Sequence, residues 1–261
     1  MHNFVKPFVA PLMKSRKWFR ICEIGSRQGE STDFLNAIPG LQVTVIDPCL
    51  DCDLQQKFAN NASIDMRKGL SLEVLPQLNE PFHCILIDGD HNWYTVYNEI
   101  KLIFERDLLL KGGIIFFHDV DWPWARRDMY FQPEVIPPEY RHNWEQRGIV
   151  RGKSELSTES TTFANDKKAP FEGGERNGVL TAVEDFLSEN MGEYRFFRVR
   201  AGNGLGIMQR RGEFRDDLSF LALFCKGLLY NTAAGMLRLA GLSNFKRFFG
   251  ANHSPEERSS I

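Results

Sequence analysis

Between residues 17 and 120, short apolar runs alternate with longer amphipathic stretches, the pattern of repeated βα units around a parallel sheet. Trp18–Ile24 reads as a first strand that ends at Gly25. A helix follows over Thr32–Ala37, with Pro39-Gly40 stopping it. Val43–Ile46 and Ile64–Arg67 read as the second and third strands, and Leu72–Leu78 as a short helix. Cys84–Ile87 is a compact apolar run leading into Asp88-Gly89-Asp90-His91. Trp93–Leu110 is helical, with Val96, Ile100, Ile103 and Phe104 on one face, and Lys111-Gly112-Gly113 closes it. Ile114–Phe117 is the fifth strand, ending in His118-Asp119.

The pattern then breaks. Residues 121–176 are rich in Pro, Arg, Trp, Tyr, Ser, Thr and Gly and show little periodicity, which reads as a cap or lid inserted in the domain. Val179–Asn190 returns to a helix. Tyr194–Arg200 and Leu205–Gln209 flank Ala-Gly-Asn-Gly as a hairpin. From Phe214 onward the apolar positions fall at helical spacing. The reading is one α/β domain over 1–212, with 121–176 as its insert, and a helical extension over 213–261. The fold expected is a Rossmann-like seven-stranded sheet with helices on both faces and a terminal antiparallel hairpin.

Composition narrows the classes. The 261 residues are 43% hydrophobic and 25% charged with a net charge of −2, which suits a globular domain and leaves no basic footprint for nucleic acid. No run approaches the about 18 apolar residues of a membrane span, and the first twenty residues, broken by Lys6, Pro7, Pro11 and Lys14, lack the apolar stretch of a signal peptide. Five scattered cysteines, an odd number, suggest a reducing compartment, hence the cytoplasm. Cys49-Leu50-Asp51-Cys52 is a lone pair without a second one and reads as incidental.

The strand ends hold the candidate chemistry. Glu23-Ile24-Gly25-Ser26-Arg27-Gln28-Gly29-Glu30-Ser31-Thr32 is a strand-to-helix turn with glycines four apart, where backbone and ligand approach closely. Its spacing is not that of a dinucleotide fingerprint, and Glu23 disfavours a pyrophosphate; a cationic amino-acid cofactor suits it. Asp47 ends the second strand, where an acid accepts ribose hydroxyls, and Gly69-Leu70-Ser71 follows the third, where an adenine edge could be read. Asp88 and Asp119 end neighbouring strands, so their carboxylates should lie about 5 Å apart. Two carboxylates that close repel unless a cation or proton lies between them, and oxygen ligation of this kind suits Mg²⁺. His118 and His91 extend the cluster.

Together E-I-G-S-R-Q-G-E-S-T, V-I-D, I-D-G-D-H and L-L-L-K-G-G-I-I-F-F-H-D-V resemble class I S-adenosylmethionine-dependent methyltransferases, and more narrowly the methyltransferase 24 subgroup. They are also similar to metal-dependent sugar and macrolide O-methyltransferases and to cephalosporin-hydroxylase-like proteins. The resemblance covers residues 17–120 and the helix and hairpin at 178–209. It implies that Glu23, Gly25, Ser26, Arg27, Gly29, Ser31, Asp47, Gly69, Ser71 and Asp88 hold S-adenosylmethionine. It further implies that Asp88 and Asp119 bind a divalent metal and that His91 is the catalytic base beside Asp88. Catechol-type relatives carry Asp-Asn at the fifth strand end; here the pair is Asp119-Val120, which removes one expected ligand and leaves His118 as its replacement.

Just past that site, Trp122, Trp124, Arg126, Arg127 and Tyr130 are placed to stack on a sugar or aromatic ring and to hold an anionic group, so the acceptor expected is a small molecule, glycosylated or otherwise polar. The apolar tail suits a homodimer contact, packing on the domain, or a membrane surface, the first two being preferred. Two other readings stay open: a hydroxylase-like relative of different chemistry, and a non-catalytic module that keeps the cofactor pocket.

Overall fold

The structure is a computed structural model and describes residues 1–50, 52–212 and 214–239. Residues 2–16 form one helical stretch: α1 (His2–Phe4), a π-turn at Val5–Val9 and α2 (Ala10–Arg16). There follow β1 (Arg20–Ile24), α3 (Glu30–Asn36), β2 (Gln42–Asp47), α4 (Cys52–Phe58), β3 (Ile64–Lys68) and α5 (Ser71–Val74). The chain continues through β4 (Phe82–Ile87), α6 (Trp93–Glu105), β5 (Leu109–His118), β6 (Met129–Tyr130), β7 (Lys167–Lys168) and α7 (Val179–Glu189). It ends in β8 (Tyr194–Val199), β9 (Leu205–Arg210) and α8 (Phe214–Leu239); the predicted tail beyond residue 239 lies outside the described residues.

The seven-stranded sheet runs in the order β3-β2-β1-β4-β5-β9-β8, parallel from β3 to β5 and antiparallel where β9 joins β5 and β8 joins β9. This is the Rossmann-like sheet with a terminal hairpin that the pattern predicts. Alternate strand residues feed two apolar layers, as the two-residue period of a strand requires. Ile21, Val43, Val45, Leu86, Phe116 and Ile207 face a layer that includes Phe4, Phe8 and Val9 of the N-terminal stretch, Leu35 of α3 and Phe220 of α8. Ile24, Ile46, Ile85, Ile87, Phe117 and Met208 face Val74, Ile100, Ile103, Val183 and Phe186 on α5, α6 and α7.

One boundary differs in kind from its prediction. The helix expected to reach Leu110 ends at Glu105, and the supposed Gly112-Gly113 stop lies inside β5. Asp107, at φ 50°, turns the chain, and Leu109 already pairs with Phe82. Gly112, at φ 76°, accommodates a register shift in the ladder, and its carbonyl is held by the buried Gln209 side chain of β9 at 2.9 Å. Glycine here serves a bulge rather than a helix end.

The segment 121–176 is folded. β6 and β7 pair as a small antiparallel sheet, and bridges join Glu145 to Lys168, Gly148 to Ser157 and Glu155 to Phe171. Asp128 ties this cap to the sheet domain. Its buried carboxylate accepts from the Trp93 amide at the start of α6 and the Gly178 amide at the start of α7, both at 2.7 Å, and from the Tyr130 hydroxyl at 2.8 Å. Burial, only partly offset by these donors, raises its carboxyl to about 6. Asp128→Ala would orphan two buried helix-start amides and should cost about 3 kcal/mol; a shift of less than about 1 kcal/mol in urea unfolding would contradict this role.

Candidate active site

β1 lies between β2 and β4, and its connection leaves on one side while that of β4 leaves on the other, so a crevice opens beyond the carboxyl ends of β1 and β4. Open α/β sheets bind ligands at such a reversal, and every strand-end acid noted in the sequence faces this edge.

The β1 turn is built around two carboxylates. Glu23 is fully buried and accepts hydroxyl hydrogen bonds from Ser31 and, at 2.5 Å, Thr32. Burial raises its carboxyl to about 7 despite these donors. The Asp47 Oδ2 atom accepts from the amides of Ser26 (2.8 Å) and Arg27 (2.9 Å), and Oδ1 accepts from Cys49 N (2.7 Å). Asp47 therefore pins the glycine turn to the end of β2. Arg27 takes a left-handed conformation (φ 50°), and Gly29 (φ 77°) precedes α3. Gly25 has a cause that sequence reasoning assigned elsewhere. A Cβ on it would stand 2.5 Å from the Asp88 carbonyl carbon and from Gly89 Cα, so the missing side chain makes room for the β4 loop rather than for a ligand. Across the crevice floor, Ser71 begins α5 beside Glu99, a fully buried acid of α6 whose oxygens lack well-formed hydrogen bonds and whose carboxyl burial raises to about 8.

At the ends of β4 and β5 four side chains converge. The His91 Nε2 atom lies 2.7 Å from Asp119 Oδ2 and 3.5 Å from Asp88 Oδ1; His118 Nδ1 lies 2.7 Å and 3.0 Å from the same two oxygens. One ligand atom from each falls within 4.8 Å of the others. Parallel pairing of β4 with β5, Ile87 beside Phe117, brings the two strand ends level, and Asp119 turns its carboxylate inward with φ 59°. Burial opposes charge on all four. Around the carboxylates the two imidazoles prevail and hold Asp88 and Asp119 below the usual range; the carboxylates in turn raise His118 and bring His91 to about 10. Asp119 Oδ1 and His91 Nδ1 are buried without partners. The donor set and the unpartnered oxygen fit a divalent cation.

The surroundings supply residues that sequence patterns did not signal. The Met1 amino group donates to Asp88 Oδ2 at 2.5 Å, and the Phe4 ring stands edge-on to His118 at 5.9 Å, so the N-terminal stretch forms one wall. Asp90 accepts from the Phe131 amide of the cap at 3.0 Å, while Asn92 caps α6 through the Thr95 amide. Asp166 of the cap has its carboxyl raised by burial and lowered by Lys168, His91 and Arg27, which sets it electrostatically between the cofactor turn and the cluster. The predicted acceptor residues have partners of their own, within the cap or, for Arg126, on α7. Arg127, fully buried, donates to the carbonyls of Ala169 and Ser154, and buried Tyr130 bonds Asp128 and the His142 amide. Trp124 is buried against Phe163; half-buried Trp122 stacks below Arg151; Arg126 reaches Glu184 at 2.7 Å.

Residues 22–120 match the family model described as a methyltransferase domain, Methyltransf_24. No curated protein sequence matches. Among solved structures, the chain is similar to the S-adenosylhomocysteine-bound methyltransferase PaMTH1 of Podospora anserina, at 14% identity over 78% of this chain and 77% of that one, TM-score 0.49. It is similar also to the O-methyltransferase of Bacillus cereus in complex with S-adenosylhomocysteine, at 17% identity over 80% of each chain, TM-score 0.48. MycE, from the mycinamycin biosynthetic pathway, in complex with Mg, S-adenosylhomocysteine and mycinamycin VI, aligns at 19% identity over 45% of this chain and 32% of that one, TM-score 0.38. Residues 22–120 match a methyltransferase domain, and the strand order around them is the Rossmann-like one. The matched model is that of the methyltransferase 24 subgroup that the sequence resembles.

Gly25→Ala adds a Cβ against β4 backbone at a left-handed position and should destabilise the fold by about 3 kcal/mol. Gly40→Ala, also left-handed (φ 75°) but with nothing within 4 Å, should cost about 1–2 kcal/mol. Equal costs in parallel urea titrations would show that the β4 contact is not the constraint.

Proposed function

We propose that the chain transfers a methyl group from S-adenosylmethionine to a hydroxyl oxygen of a polar, glycosyl-bearing small molecule. The observation that carries this reading is the adjacency of two built sites at one sheet edge: the Glu23–Asp47 turn and the Asp88–His91–His118–Asp119 cluster. Methyl transfer is an in-line displacement, so the protein's main contribution is alignment of donor and acceptor.

Glu23 sets negative charge behind the turn, where the donor's ammonium group would lie, and Gly25, Ser26, Arg27, Gly29 and Ser31 shape the backbone around it. Asp47 fixes the turn and faces the ribose, and Gly69 and Ser71 border the adenine. Asp88 and Asp119, with His118, would hold a divalent cation, Mg²⁺ in the first expectation, and such an ion would lower the pKa of an acceptor hydroxyl. His91 stands beside the carboxylates as the expected base, a role that requires the cation to displace the proton its ring shares with Asp119. Trp122 and Arg126, only half-buried, stay the candidates for the acceptor side, while Trp124, Arg127 and Tyr130 keep the cap's shape.

Among the described residues no helix is long and apolar enough to cross a membrane. Among the described residues Cys22, Cys49, Cys84 and Cys225 are unpaired, which suits a cytoplasmic setting. The outward Leu218, Leu221, Leu228 and Leu229 of α8 suit a homodimer contact.

Calorimetry tests the donor reading. S-adenosylmethionine and S-adenosylhomocysteine should both bind the purified chain; failure of both would overturn it. The Glu23 carboxyl, raised to about 7, is neutral below that pH and charged above it. Affinity for the cationic donor should therefore rise as pH increases through 7, and Glu23→Gln should flatten that dependence. A profile that stays unchanged in Glu23→Gln would remove Glu23 from the donor site.

A further inference from the structure

We infer that His91 and His118 are both metal ligands, and that the cluster selects a transition ion that accepts imidazole, such as Zn²⁺, Fe²⁺ or Co²⁺, over Mg²⁺. This rests on the metal-assisted reading above and changes the ion and the role of His91 within it. Both imidazoles aim a ring nitrogen at the same two carboxylate oxygens, Asp88 Oδ1 and Asp119 Oδ2, at 2.7, 2.7, 3.0 and 3.5 Å. The 3.0 and 3.5 Å separations are those of ligand atoms about 2.0–2.2 Å from one ion, which stand roughly 3–3.5 Å from their neighbours, and the two 2.7 Å ones, hydrogen-bond distances, would have to open by a few tenths of an ångström.

The donor chemistry chooses the ion. Mg²⁺ takes oxygen ligands and keeps several waters, whereas a set of two imidazoles and two carboxylates matches the borderline ions of the later first row. Two further observations point to an ion at this place. The Asp119 Oδ1 atom is buried without any partner, in a residue only 5% exposed. Val120 replaces the oxygen-bearing side chain that would complete an oxygen shell, and it is fully buried in the apolar layer, so no oxygen ligand comes from that position. His118, two residues before Val120, turns into the site from the last position of β5.

The test uses the purified full-length protein stripped with a chelator, titrated in turn with Co²⁺, Zn²⁺ and Mg²⁺ by calorimetry, with visible absorption recorded for Co²⁺. The expected result is Co²⁺ and Zn²⁺ binding at least about tenfold tighter than Mg²⁺, with a Co²⁺ ligand-field spectrum of nitrogen-containing coordination. His118→Gln should weaken Co²⁺ at least about tenfold and alter that spectrum while leaving Mg²⁺ affinity within about twofold. The spectrum of the unaltered protein decides the matter even if the variant does not fold. Mg²⁺ binding as tight as Co²⁺, with a spectrum of oxygen ligation only, would overturn this inference and leave the metal-assisted reading standing. Absence of binding by all three ions would overturn both.

Discussion

Asp88, half-buried, and Asp119, buried, are two carboxylates brought level by parallel pairing of β4 and β5, and their repulsion has to be cancelled locally. The surrounding structure does this from several directions. His118 comes from β5 itself, His91 from the loop above β4, and the Met1 amine from the far side of the crevice. Each requires its own element to be docked: the N-terminal helices under the sheet edge, the β4 loop over it, and the cap across both. The bridge between His91 and Met129 and the Phe131 amide on Asp90 join cap and cluster directly. Folding of the cap and completion of the site are in this sense one event.

The donor side depends on a similar economy of space. Asp47 gathers the amides of Ser26, Arg27 and Cys49, so the turn after β1 is held by the end of β2, and Gly25 lets it lie against the backbone of β4. Three strand ends are thereby locked together before any ligand enters. Gly25 lies against the Asp88 carbonyl, so the turn and the Asp–His cluster adjoin at Asp88. A methyl donor seated on the turn would present its sulfonium toward the cluster over a short distance, the arrangement an in-line transfer needs.

The sheet and the four strand-end acids were legible because they rest on local patterns: apolar runs of strand length, each ending in Glu, Asp or His. What escaped the sequence is long-range. Asp128 lies in a segment without periodicity, and its partners are 35 and 50 residues away. The pairing of Met1 and Phe4 with Asp88 and His118 crosses even more chain, and nothing in the N-terminal pattern signals it. Gly112-Gly113 has the composition of a helix stop, and only tertiary pairing with Phe82 and Gln209 makes it strand. Arg127 and Tyr130 show the opposite failure: residue types suited to ligand contact that have found buried partners of their own.

The central claim is that donor and metal share one crevice at the ends of β1, β4 and β5. Diffraction from crystals grown with S-adenosylhomocysteine and Co²⁺, with anomalous data collected at the cobalt edge, tests it most directly. The account predicts one anomalous peak among Asp88, His91, His118 and Asp119, with the cofactor on the Glu23–Gly29 turn and its sulfur facing that peak. A cofactor bound elsewhere, or a cobalt peak away from these four side chains, would contradict it.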